Sequence, residues 1–436
     1  MPTSLAERPP RDRFLDVVRA GAILAVIGQH WLMPVLNYDN GFLTTGNALA
    51  TPGWAIFTWL SNVMPLVFFA GGAANLISLR RAPSPRAWLA ARIGRLMLPV
   101  LPLAAVWLGV PVLLLDFGVP EQPLHVAGAI AGQLLWFLGV YLLAVLATPL
   151  MVAAHRRFGL VVPLTLAGLA VPVDVARFDG VPLIGYANAI FVWLAVHQLG
   201  FHYIEGKLAG FGRAAAMKLC FGGFAVTALM VAFGPYPTSM IGMPGAAVSN
   251  MSPPTAVLLS LAAGQIGLVL ALRPQLTALA DRPAAGTALR WVGARFMSVY
   301  LWHMPALVVV SGICVIGFRY ATPEPGTLRW LAVAPLRLAA TGLVLFGLLR
   351  VFDRFETHGT SSSSASTTRL VTAALVGSTG LLGLAARGFT TPPDGTLLDG
   401  PAPWATLVLA SVLLATKRVQ PSEVEQLRRG VVQDKP

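Results

Sequence analysis

Hydrophobic residues occur in twelve long runs, separated by short segments in which charged, Pro and Gly residues collect. The runs cover residues 17–36, 54–79, 96–115, 126–151, 158–173, 181–201, 219–233, 255–272, 297–318, 330–349, 370–386 and 402–416. Most approach the ~20 residues that a helix needs to cross the hydrocarbon core of a bilayer. None alternates polar and apolar residues as a barrel strand does. We therefore predict an all-α, polytopic integral membrane bundle of about twelve transmembrane helices.

Composition supports this interpretation. Hydrophobic residues make up 56% of the 436 positions and charged residues only 11%, whereas an ordinary soluble domain has roughly 25% charged residues. Too few charges are present to cover the surface of a soluble fold. Soluble enzymes, secreted disulfide scaffolds and disordered proteins are therefore excluded.

The basic residues predict the orientation. Lys and Arg outnumber Asp and Glu by 31 to 18, a net charge of +13. If the N-terminus is cytoplasmic, 26 of the 31 basic residues fall on the cytoplasmic side and four on the outer side. The positive-inside rule explains this asymmetry, so we expect no nucleic-acid partner. Both termini are predicted to be cytoplasmic.

Four segments follow from the same pattern. Residues 11–350 are predicted to form a ten-helix membrane core, and residues 351–369 a Ser-rich cytoplasmic linker. Residues 370–416 form a C-terminal transmembrane pair, and residues 417–436 a charged cytoplasmic tail.

Ionisable residues inside a membrane helix are costly and are therefore functional candidates. The runs contain His30, His197, His303 and Arg337, with Arg19 at the mouth of the first run, but no acidic residue. His197 and His303 could instead make interhelical hydrogen bonds. Arg337 could either pair with a substrate phosphate or extend outward to the membrane interface.

The first run has a polar stripe. At 100° per residue, His30 lies about 20° from Arg19 around the helix and about 16 Å further outward, and Asp16 lies within about 40° of His30. This placement suits a helix that lines a polar cavity. The alternative is that Arg19 reaches the lipid headgroups and His30 only bonds a neighbouring helix.

A second basic feature precedes the third run. Five arginines and no acidic residue occupy residues 80–95, and Arg92 and Arg95 project from one helix face because they are three residues apart. Guanidinium groups bind phosphate well. This segment is therefore a candidate site for a phosphorylated cytoplasmic donor, or an ordinary positive-inside loop.

Four segments, in order, resemble the acyltransferase 3 family of membrane O-acyltransferases over about residues 11–350. They are Arg13-Phe-Leu-Asp16-Val-Val-Arg19-Ala-Gly21 with His30-Trp31, then Arg92-Ile-Gly-Arg95, then Leu135-Trp136-Phe137-Leu138 with Tyr141, and finally Arg295-Phe-Met-Ser298-Val-Tyr300-Leu-Trp302-His303-Met-Pro305.

The resemblance implies transfer of an acyl group, commonly acetyl, from cytoplasmic acyl-CoA to a hydroxyl of an extracytoplasmic glycan or lipid-linked saccharide. It implies that Arg19, Arg92 and Arg95 hold the CoA phosphates. His30 would be the base, or a covalent acyl carrier, because imidazole accepts protons near neutral pH. Further candidates for the substrate site or its cavity are Asp16, Trp136, Tyr300, His303, His197 and Arg337. We expect the cell's cytoplasmic membrane as the location, no metal and no tightly bound cofactor; the oligomeric state is left open.

Two other classes also fit an apolar helical chain. A transporter or flippase for a polar or lipid-linked substrate would also bury ionisable groups around a cavity. A glycosyltransferase that uses a polyprenyl-phosphate donor ranks third. Such an enzyme would normally have acidic residues near the donor, and no acidic residue lies within a predicted run.

The orientation is testable with reporter fusions. Fusions at Glu121 and Asp179 should report the outer side, and fusions at Arg157 and Ser362 the cytoplasm, because of the asymmetry of basic residues. A cytoplasmic signal from either acidic position would overturn the orientation.

Overall fold

The computed structural model describes residues 12–357, 365–392 and 395–416. Its α-helices are α1 (Arg13–Leu32), α2 (Thr58–Ser61), α3 (Met64–Arg81), α4 (Pro85–Met97), α5 (Val100–Asp116), α6 (Glu121–Gln133), α7 (Leu135–Phe158), α8 (Val161–Phe178), α9 (Asn188–Ile204), α10 (Arg213–Phe233), α11 (Val257–Ala271), α12 (Arg273–Asp281), α13 (Pro283–Ala294), α14 (Phe296–Ser311), α15 (Leu328–Phe352), α16 (Arg354–Thr357), α17 (Thr367–Arg387) and α18 (Ala402–Ala415). Two strands, β1 (Pro34–Asp39) and β2 (Phe42–Asn47), complete the regular structure together with 3₁₀ turns at Ala48–Ala50, Trp54–Phe57, Pro182–Ala187 and Leu397–Asp399 and a π-helical segment at Gly312–Gly317.

The chain is a polytopic helical membrane protein. Among the described residues, ten helical segments are long and apolar enough to cross a bilayer. These ten segments correspond to ten of the twelve predicted runs. The eighth and the twelfth runs are the exceptions. At the eighth run, α11 and α12 meet at a 57° bend and together make an eleventh candidate. At the twelfth, α18 has 14 residues, fewer than the ~20 that span a bilayer. The count of twelve and the position of the termini stay predictions.

The all-α prediction is wrong in one place. The first run was expected to remain helical to residue 36, but α1 ends at Leu32 and the chain forms an antiparallel hairpin of β1 and β2. Asn40 and Gly41 have φ of 46° and 89°, which is the conformation that a two-residue hairpin turn requires. Asn-Gly is the commonest sequence for that turn, and this signal was missed.

The described residues pack as two units. The first contains residues 12–77 and 147–353, and the second contains residues 78–146 and the described residues from 354 onward. The predicted linker at 351–369 lies partly outside the described residues, although α15, α16 and α17 extend into its ends. The tail at 417–436 lies entirely outside them.

In the first unit, glycines let α3 and α9 approach closely. A Cβ on Gly72 would overlap the carbonyl of His197, and a Cβ on Gly200 would overlap the carbonyl of Phe69. Small residues at such contacts are typical of helices that associate inside a membrane. The close approach buries His197 and Gln198 completely.

A buried carboxylate ties together the helices and the long loop of the first unit. Asp174 on α8 is 1% exposed and accepts hydrogen bonds from the Asn188 side chain at 2.8 Å, the Tyr236 hydroxyl at 3.0 Å and the backbone N–H of Ala256 at 2.7 Å. Burial, reinforced by the Asp174 charge, raises the pKa of Tyr236, so its hydroxyl remains a donor. Arg177 fixes the same loop by donating to the carbonyls of Ser249 and Pro253.

In the second unit, the last two helices pack onto the earlier ones. The hydroxyl of Ser378 on α17 donates to the carbonyl of Gly139 on α7 at 2.9 Å. After α17, Thr390 is hydrogen-bonded to His125 of α6 at 2.8 Å, and Phe389 stacks on Trp107 of α5. The C-terminal pair is therefore part of the packed core of this unit.

Candidate functional site

The polar stripe predicted for the first helix forms on α1. Asp12 begins the helix, and its side chain accepts from the backbone N–H of Leu15 at 3.1 Å. Along the stripe, Asp16, Arg19 and His30 are half-buried, while Ile23 and Ile27 between them are buried. Leu24, on another face, is 54% exposed, as expected for a residue that faces lipid.

His30 pairs with a second histidine near the end of α1. Its Nδ1 lies 2.9 Å from Nε2 of His303 on α14. The two ring planes are within 6° of parallel, and the ring centres are 5.2 Å apart. These values place the rings edge to edge in a shared plane, as an in-plane N–H···N bond requires. His303 is completely buried, whereas His30 is half-buried.

A backbone carbonyl determines the direction of this hydrogen bond. The carbonyl of Tyr300 lies 2.6 Å from His303 Nδ1, and because a carbonyl only accepts, Nδ1 of His303 carries the proton. In the neutral ring, His303 Nε2 then accepts, and His30 Nδ1 is the donor. The lone pair of His30 is consequently on Nε2, on the side of the ring away from His303.

Two contacts hold the His30 end of α1. The indole N–H of Trp31 donates to the carbonyl of His303 at 2.9 Å. Arg337 on α15 donates to the carbonyls of Leu32 at 2.8 Å and Pro34 at 3.3 Å. A cation at the C-terminal end of a helix also interacts favourably with the helix dipole. Arg337 therefore holds the end of α1 in the structure, and its expected pairing with a substrate phosphate or outward extension stays a prediction.

At the other end of the stripe, Arg19 lies against α14. Its guanidinium is 5.4 Å from the centre of the Phe296 ring, a typical cation–π distance. Tyr300, one turn further along α14, is 5% exposed, and its ring centre is 6.1 Å from that of His303. Helix α14 therefore contacts the polar stripe of α1 at both Arg19 and His30.

The arginine pair lies in the second unit, on the predicted helix. Ser84 begins α4 by accepting from the backbone N–H of Ala87. Arg92 is half-buried, donates to the hydroxyl of Ser78 at 2.5 Å and lies 5.7 Å from the Trp88 ring centre. Arg95, one turn later, is exposed.

Trp136 and His197 have different surroundings. Trp136, also in the second unit, is half-buried and meets the ring of Phe137 edge to face at 6.2 Å. His197, in the first unit, is completely buried. Its Nε2 accepts from the Asn75 amide at 3.1 Å, and its Nδ1 has no hydrogen-bond partner among the described residues. This contact is the interhelical bond that was one of its two expected roles.

Two structural features were not predicted. His303 was a candidate, but nothing in the sequence showed that it contacts His30, 273 positions earlier. Asp174 was placed outside the fifth run, which was expected to end at residue 173, whereas α8 continues to Phe178. An acidic residue therefore does lie within a candidate membrane helix, and the argument against a glycosyltransferase from the absence of such residues is wrong.

Comparison with known proteins gives one match. A family model described as an acyltransferase domain matches residues 12–348. No curated protein and no solved structure matches the chain. The matched range contains both histidines of the pair and the Arg92/Arg95 pair, and it ends before α17 and α18.

Proposed function

Because the chain belongs to the acyltransferase 3 family, we propose that this multi-pass membrane protein is an O-acyltransferase of the cytoplasmic membrane. It moves an acyl group, preferentially acetyl, from cytoplasmic acyl-CoA to a hydroxyl of a glycan or lipid-linked saccharide on the outer side. The product is an O-acylated carbohydrate of the cell envelope.

The contact between His30 and His303 carries this proposal. A hydroxyl is a weak nucleophile until a base removes its proton. His30 donates from Nδ1 to Nε2 of His303. Nε2 of His30 is therefore left to accept the proton of the hydroxyl. The arrangement of base and orienting group is analogous to that in other acyl-transfer enzymes, with an imidazole here in the place of the usual carboxylate.

The reaction balances with these groups. His30 Nε2 takes the proton of the acceptor hydroxyl while the hydroxyl oxygen attacks the carbonyl carbon of the acyl-CoA thioester. The new C–O bond gives a tetrahedral intermediate, and cleavage of the C–S bond then releases the CoA thiolate. The thiolate takes the proton from the His30 imidazolium, which regenerates neutral His30. Throughout, the hydrogen bond to His303 limits rotation of the ring.

The donor contacts are proposed for α4. Arg92 and Arg95 lie one turn apart, and the contacts of Arg92 with Ser78 and Trp88 restrict its side chain. A guanidinium that is already oriented loses less entropy when it binds a phosphate. The resemblance also assigns Arg19 to the CoA phosphates, and that assignment stays a prediction.

Replacing the two histidines should lower the turnover number in a defined order. His30→Gln keeps a hydrogen-bonding side chain but removes the base, so we expect a loss of ~10²–10⁴-fold. His303→Ala should cost less, and His303→Gln least, because a Gln oxygen can still accept from His30 Nδ1. The measurement is incorporation of label from radiolabelled acetyl-CoA into envelope glycans by membranes that contain each variant.

His125→Gln is the matched control, because it makes the same substitution at a half-buried histidine of the second unit that bonds Thr390. It should transfer label at the wild-type rate. Near-normal transfer by well-expressed His30→Gln would eliminate the base assignment. No incorporation by the wild-type protein from acetyl-CoA or longer acyl-CoA donors would contradict the proposed reaction itself.

Replacing the arginines should weaken donor binding rather than the chemical step. We expect Arg92→Gln and Arg95→Gln to raise the apparent KM for acyl-CoA by about tenfold or more, since a hydrogen bond to a charged group contributes ~1.5–3 kcal/mol. Arg213→Gln, at an exposed arginine that begins α10, serves as the control for net charge. Unchanged KM values in both α4 variants would show that these arginines serve only as a positive-inside signal for membrane orientation.

A further inference from the structure

The basic end of α15 forms a cavity that the proposed reaction does not use. The cavity encloses about 260 Å³ and is lined by Trp291, Arg295, Phe346, Leu349, Arg350 and Asp353. All six residues belong to the first unit. They come from α13, from the junction of α13 and α14, and from the last turns of α15.

One of the two arginines in the cavity is neutralised and the other is not. Arg295 donates from Nε to the Asp353 carboxylate at 2.9 Å, and its guanidinium lies 4.8 Å from the Trp291 ring centre. Arg350 is exposed and contacts the Phe346 ring at 5.8 Å. It has no carboxylate or hydrogen-bond partner among the residues that the structure describes. The lining therefore presents one free positive charge next to a compensated ion pair.

An apolar track begins at this free charge. Leu336, Leu343 and Phe346 are 71%, 73% and 49% exposed, and each lies within about 40° of Arg350 around α15. From Arg350 to Leu336 the helix rises about 21 Å, which exceeds half of the ~30 Å hydrocarbon core. Trp291 is 38% exposed at the cavity, and Trp is the residue enriched at the boundary between headgroups and acyl chains.

We infer that this cavity binds the phosphate of an anionic phospholipid, whose acyl chain lies along Leu343 and Phe346 of α15. One free guanidinium beside an apolar track matches a headgroup with a single phosphate charge and an attached chain. Acyl-CoA carries several phosphate charges and suits this lining less well. Basic pockets between transmembrane helices on the cytoplasmic side are typical sites for such headgroups, and this end of α15 is predicted to be cytoplasmic. The inference is independent of the proposed acyl transfer.

Binding of phosphatidylglycerol to the purified full-length protein in a neutral detergent tests the inference. The bound fraction is measured by native mass spectrometry, with phosphatidylcholine as the zwitterionic reference. Arg350→Gln should weaken phosphatidylglycerol binding about fivefold, which corresponds to ~1 kcal/mol for one arginine at a membrane surface. Asp353→Asn should strengthen it by a similar factor, because it frees Arg295 from its carboxylate. Phosphatidylcholine binding should change little in either variant.

Arg282→Gln provides the matched control, since Arg282 is an exposed arginine before α13 that does not line the cavity. It should bind phosphatidylglycerol like the wild type. Equal weakening in Arg282→Gln and Arg350→Gln would show diffuse surface attraction and overturn the inference. Wild-type binding in Arg350→Gln would also overturn it. So would displacement of phosphatidylglycerol by acyl-CoA in a manner that depends on Arg350, since the cavity would then belong to the donor.

Discussion

The apolar bilayer offers no hydrogen-bond partner to a polar side chain, and this constraint organises the interior of the protein. A polar group within the hydrocarbon core is stabilised by hydrogen bonds to other parts of the chain. His30 is hydrogen-bonded to His303 and His197 to Asn75, and Asp174 accepts hydrogen bonds from three donors. Except for the bond from Asn188, which joins the consecutive helices α8 and α9, these contacts join elements that are distant in sequence. Single interhelical hydrogen bonds contribute only about 0.6 kcal/mol on average, and their larger effect is on orientation.

Orientation is what the proposed chemistry requires of His30. The carbonyl of Tyr300 fixes the proton of neutral His303 on Nδ1, so its Nε2 can only accept. The nitrogen that donates to it is Nδ1 of His30. Trp31 and Arg337 hold the same end of α1 through backbone carbonyls on α14, on α1 itself and at the start of β1. Alpha-helices α14 and α15 thereby restrict both the position and the tautomer of the residue that we propose as the base. In the proposed reaction, the histidine pair takes the place of the imidazole and carboxylate of soluble acyl-transfer enzymes.

Local features of the chain were predictable from sequence, and long-range contacts were not. The apolar runs predicted helices because lipid permits few alternatives, and helical phase placed Asp16, Arg19 and His30 on one stripe. The hairpin after α1 could have been predicted from Asn40-Gly41, but the apolar run extends to residue 36, which lies within β1. The partners of His30 and Arg337 depend on how α14 and α15 pack against α1, and helical periodicity contains no information about that packing. Asp174 was misplaced because the end of a helix is less regular than its interior.

The protonation of the two imidazoles is the most direct measure of the proposed arrangement. ¹⁵N NMR of the histidine-labelled full-length protein at neutral pH distinguishes protonated from bare ring nitrogens, and His30→Gln and His303→Gln assign the two rings. The account predicts that both rings carry their proton on Nδ1, with Nε2 of His30 bare and Nε2 of His303 hydrogen-bonded. A His30 ring protonated on Nε2 would contradict it, because that nitrogen could not then accept the proton of an acceptor hydroxyl.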